Sequence, residues 1–193
     1  MISKMLKTIL LLSLLALGST TARAQALVPT VGVGTTFSYN FELHGQHAPF
    51  ELAIAGATDT LKLKWRIRNL AGGVYAVSPA AWQQGTALHV AQPQPGPPVR
   101  LPDNQTFLML SKSAYATLLA QHHFTYNNTV YDLRDDLGGH PLLLSGQPLD
   151  VLHVVAQGDA TELWILRNDT FPIICQMAHN PLGVNMVLTS LKR

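Results

Sequence analysis

The chain has 193 residues, 47% of them hydrophobic and only 12% charged, with 13 basic and 11 acidic side chains. So near-neutral a chain has no general electrostatic attraction to DNA, RNA or anionic lipid, and no nucleic-acid partner is expected. Its one cysteine, Cys175, excludes an intrachain disulfide.

Residues 1–24 read as a secretory signal. Lys4 and Lys7 form a basic start, 9–17 is an apolar run too short to span a bilayer, and Ala22-Arg23-Ala24 is a small-x-small cleavage site. Their removal takes away Lys4, Lys7 and Arg23 but no acid, which turns the formal +2 into −1. The cleavage site has no cysteine to carry a lipoprotein anchor, and no later stretch is apolar enough for a transmembrane helix. The expected location is periplasmic or extracellular. Residues 25–193 are then expected to form a single β-rich domain, long enough to bury a core without metal or disulfide, and no cofactor is expected.

Along that domain the dominant pattern is alternation with period two. Segment 36–43 places Phe37, Tyr39, Phe41 and Leu43 on one face, and 50–54 follows as its hairpin or meander partner. The sharpest case is 61–68, where Leu61, Leu63, Trp65 and Ile67 point one way and Lys62, Lys64, Arg66 and Arg68 the other. Shorter strands are expected at 73–78 and 86–90. From about 92 to 102 a run rich in proline lacks backbone donors and predicts an exposed, extended surface loop.

After a short strand at 106–110 the period changes. Ser111 offers an N-cap, and Ala114, Tyr115, Leu118 and Leu119 make one apolar stripe, which predicts the one helix of the domain, ending near Gln121. Segment 124–131 reads as a hairpin turning at Asn127-Asn128. Strands at 149–157, 161–167, 171–178 and 184–191 are joined by turns so short that only antiparallel neighbours fit, so they form a four-stranded meander. The sum is a mainly β chain of about ten to twelve strands with one short helix. A strongly curled antiparallel sheet or open β-barrel is expected, because a flat sheet of that size exposes long edges.

Gly34-Thr35-Thr36-Phe37-Ser38-Tyr39 opens the first strand, and Leu110-Ser111-Lys112 with Tyr115 starts the helix. Glu162-Leu163-Trp164-Ile165-Leu166 and Phe171-Pro172-Ile173-Ile174 follow, and the last strand ends in Lys192. In this order the features resemble a family of small uncharacterised exported β-rich proteins of Gram-negative bacteria. The resemblance implies export and a mostly antiparallel β architecture, distantly similar to the open barrels that carry lipoproteins or lipids in the periplasm. It brings no catalytic residues. The Pro-rich insertion near Pro95 and the eight histidines depart from the family pattern.

Three features bear on chemistry. His44 and His47, in the turn after the first strand, are candidate metal ligands that Asp135 or Asp136 would complete, the basis of an alternative reading as a metal-dependent hydrolase. The simpler expectation for both is that of solvated turn histidines. Lys62, Lys64, Arg66 and Arg68 form a cationic ladder about 20 Å long, a candidate anion-binding face, unless Glu42 and Glu51 across the sheet make it an ordinary wet face. Cys175, in phase with Phe171, Ile173 and Met177, is expected to be an inert core thiol. No Gly-x-Ser-x-Gly elbow occurs and no catalytic residue is assigned. The expectation is therefore a non-enzymatic binding domain for a small apolar ligand or an envelope protein, its helix able to close a barrel mouth.

Overall fold

The computed structural model describes residues 26–68, 71–134 and 141–193. The expected signal segment, residues 1–24, and the candidate ligands Asp135 and Asp136 lie outside them.

Alternation in 36–77 produces four strands that bury the same face. β1 (Thr36–Leu43), β2 (Gln46–Ala57), β3 (Leu61–Ile67) and β4 (Ala71–Val77) run as an antiparallel meander. Phe37, Tyr39, Phe50, Leu52, Ile54, Leu63, Trp65 and Tyr75 are buried, while Lys62, Lys64 and Arg66 between them are exposed. A side-chain period of two on a pleated strand requires this once one face is covered.

The next segment departs from expectation. A second helix, α1 (Pro79–Gln84), starts at Ser78, whose hydroxyl accepts from the Ala81 amide, with Pro79 in the first turn. Its six residues are too few to show a helical period, but Ser-Pro ahead of Ala-Ala-Trp is a legible start signal. The strand expected at 86–90 shrinks to β5 (Ala87–Leu88). The Pro-rich loop is exposed over 94–100, but Leu101 within the expected loop is buried, and the loop joins the sheet: β6 (Val99–Arg100) pairs in parallel with β4 just past Pro98. The strand expected at 106–110 is only β7 (Gln105–Thr106), parallel to β5, followed by a bridge between Met109 and Ile173.

Helix α2 (Lys112–Gln121) has the expected cap, the Ser111 hydroxyl accepting from the Ala114 amide at 3.2 Å. It stops at His122, which turns left-handed at φ 62°. Of the expected stripe, Tyr115 and Leu118 are buried and Leu119 faces solvent. The hairpin β8 (His123–Tyr126) and β9 (Thr129–Arg134) turns at Asn127-Asn128, both with positive φ. A small hairpin, β10 (Leu143–Leu144) with β11 (Gln147–Pro148), then packs β10 against the last strand of the chain. The meander follows as β12 (Val151–Ala156), β13 (Glu162–Leu166), β14 (Ile174–Ala178) and β15 (Val184–Lys192).

The two meanders join where β1 pairs with β15, Thr36 facing Lys192. One eleven-stranded sheet results, in the order β6-β4-β3-β2-β1-β15-β14-β13-β12-β9-β8. Its pairings are antiparallel except β4 with β6. Among the described residues β6 and β8 are its two edges, and no pairing joins them. The hydrophobic core runs along the inner face as one cluster, and at β12–β13 the outward Val151, Trp164 and Leu166 are buried as well.

Candidate functional site

The direction of each strand puts the β1–β2, β8–β9, β12–β13 and β14–β15 turns at the same end of the sheet. A cavity of about 710 Å³ opens there. Strands from both meanders supply its walls, among them Phe41, Phe50, Met177, Val184 and Met186. Segment 88–93 and Phe107 with Leu108 line it from the connection between β4 and α2.

Phe107 is held by rings on both sides, 4.8 Å from Tyr75 and 6.2 Å from Phe50 between centroids. The backbone beside it is strained. Leu108 sits at φ 52°, a region a bulky residue occupies at a cost of about 1 to 3 kcal/mol. The hydrogen bond that its carbonyl accepts from the Ile174 amide fixes this conformation.

Four polar side chains of the lining are bonded to the protein itself. Asn127 clasps Leu88, accepting from its amide at 2.9 Å and donating to its carbonyl at 3.3 Å. Asp159 accepts from the Thr161 amide, and Asn180 from the Leu182 amide. His89 donates from Nδ1 to Gln105 Oε1 at 2.9 Å and packs on Tyr75. No Lys or Arg lines the cavity among the described residues. At the mouth Leu43, Val90 and Leu182 are 37%, 67% and 58% exposed, so three separate segments raise apolar side chains around one opening.

The residues singled out from the sequence fall in other arrangements. His44 lines the mouth, its amide bonded to the Gly183 carbonyl and its ring so close that a Cβ on Gly183 would lie 2.7 Å from His44 Nδ1. His47 stands across from Glu42, on the sheet face opposite its buried neighbour Ala48. Among the described residues no three His, Cys, Asp or Glu side chains come together to hold a metal. Lys62, Lys64 and Arg66 do form a row on the outer face. Arg66 Nε donates to Glu51 Oε2 at 3.0 Å, whereas Arg68 lies beyond the end of β3 at φ 51° and leaves the row. Cys175 is fully buried, its thiol pushed up to about 12 by loss of solvent.

One cluster escaped the sequence reading. His153 is buried and stacked on Trp164 at 4.5 Å, and its Nε2 lies 2.8 Å from Glu162 Oε2. His179 Nδ1 lies 3.0 Å from the other oxygen of the same carboxylate. Cross-strand pairing of His153 with Trp164, next but one to Glu162, brings them together.

Set beside family models, curated proteins and solved structures, the chain matches none.

Proposed function

We propose that this chain is a non-enzymatic, exported binding protein whose open sheet curls around the cavity and holds a small hydrophobic ligand there. The observation that carries the reading is the cavity itself. About 710 Å³ lies within the roughly 300 to 1,000 Å³ of small-molecule sites, and most of its lining residues are aliphatic or aromatic, with polar groups in the minority. Curvature of the sheet, in this reading, is what lets β3, β9 and β14 contribute to one lining. Export rests on the basic, apolar and small-x-small pattern of residues 1–24.

The test has two parts. Native mass spectrometry of protein purified without detergent is expected to show an apolar adduct, and a neutral naphthylamine fluorophore is expected to bind and brighten. Val184→Trp, which fills the cavity from a half-buried position, is expected to weaken fluorophore binding about tenfold or more, a loss of about 1.4 kcal/mol. Absence of any adduct together with absence of fluorophore binding overturns the proposal. Export is checked by the mass of the mature protein, expected to begin at residue 25.

A second reading takes the apolar rim as a docking surface for an envelope protein. Exposure of Leu43, Val90 and Leu182 around one opening favours it.

A further inference from the structure

We propose that the cavity selects an uncharged amphiphile with one flexible hydrocarbon chain and rejects the carboxylate of the same chain length. The inference rests on the reading of the cavity as a ligand site and names the chemical class of its ligand.

Charge is the first argument. The ionisable side chains of the described lining are Asp159, His44, His89 and Tyr131, with no Lys or Arg among them. Burial and the Asp159 carboxylate both hold the Tyr131 phenol in its neutral form. Of the cations near the lining residue Ile67, Lys62, Lys64 and Arg66 alternate with buried residues on the other face of β3, and Arg68 is exposed beyond the strand's end at φ 51°. An anionic head drawn into this cavity would lose its water, gain no cationic partner and meet Asp159.

Polar capacity is the second. Asn127, Asn180 and His89 Nδ1 are already committed to the protein's own backbone and side chains, as is one oxygen of Asp159. The side chains of Thr129, Gln46 and Gln92 line the cavity without a hydrogen bond to other side chains or backbone among the described residues. A hydroxyl and two amides suit a hydroxyl, ester or amide head, each of which both gives and takes neutral hydrogen bonds. Wall chemistry is the third. Met177 and Met186 beside Phe41, Phe50 and Phe107 make a surface that adapts to a mobile chain better than to a rigid ring system.

Displacement of the naphthylamine fluorophore by decan-1-ol, decanoate and decyltrimethylammonium tests this at pH 8, where free imidazole is neutral and a fatty acid ionised. Decan-1-ol is expected to displace at about tenfold lower concentration than decanoate. Thr129→Lys, which places a cation in the lining, is expected to bring decanoate level with decan-1-ol, and Asp159→Asn to narrow the gap in part. Equal displacement by decanoate and decan-1-ol from the unaltered protein overturns the inference while leaving a hydrophobic site in place. So does a tenfold preference for decyltrimethylammonium, which would make Asp159 the recognised group. Failure of the fluorophore itself to bind overturns the ligand reading and this inference together.

Discussion

Trp65 sets the thickness of the core at the β3–β4 pair, because its ring lies against Gly73 so closely that a Cβ there would stand 2.8 Å from Trp65 Cζ2. Only glycine permits that approach. Trp65→Ala is expected to cost about 3 to 5 kcal/mol and Gly73→Ala about 1 to 3, against at most about 0.5 for Lys64→Ala on the wet face. Urea melts check all three, and similar midpoint shifts for Trp65→Ala and Lys64→Ala would mean the faces are reversed. Those faces were legible because strict alternation has one physical meaning. The His153, Glu162 and His179 cluster was not legible, since it depends on which residue of β12 meets which of β13. All five tyrosines, Tyr39, Tyr75, Tyr115, Tyr126 and Tyr131, have phenols raised above their ordinary value of 10.0 by burial, Tyr115 to about 12. The unfolded chain releases these protons near pH 10 and the folded chain keeps them longer. The folded state therefore binds more protons in that interval, and stability falls as pH rises from about 10 towards 12. An absorbance titration should show tyrosinate appearing together with loss of the near-ultraviolet circular dichroism signal. Tyrosinate formed near pH 10 with that signal intact would contradict the burial.

At the scale of the element, the two helices carry matching serine caps with unequal duties. Ser78 accepts from Ala81, and its loss should cost about 1 kcal/mol. Ser111 caps α2, donates to the Gly85 carbonyl at 2.7 Å, and has its own amide bonded to the Tyr126 hydroxyl at 2.8 Å. Ser111→Ala leaves a buried carbonyl without its donor and is expected to cost about 2 to 3 kcal/mol, the larger shift of the two in a denaturant melt. The C-terminal meander was readable because turns as short as Gly158-Asp159 admit only antiparallel neighbours. The two-residue β5, β6 and β7 were not, because a pattern needs more residues than these elements have, and α1 shows only its Ser-Pro start and no helical period. The cavity inherits both cases. Its strand walls follow from the alternation, while Phe107, Leu108 and the 88–93 segment come from the stretch where periodicity failed.

In the whole molecule the strand count pointed to a large antiparallel sheet, and eleven hydrogen-bonded strands form one. Both edges are short. β6 has two residues behind a proline run, and β8 has four and packs against α2, so neither offers a long template for pairing with another chain. The seam between the meanders is different, since β1 and β15 each carry eight or nine residues in mid-sheet. Removing 184–193 would bare β1 and β14 as two new edges, one of them long, and the shortened protein is expected to sediment as aggregate where the full chain stays monodisperse. The same seam imposes an order in time. Thr189 bonds Ser38 across 151 residues of sequence, so the middle of the sheet is the last part that growth of the chain makes possible. Until residues 184–192 are available the two halves can form but not meet, and β1 must wait with one edge open for a strand not yet made.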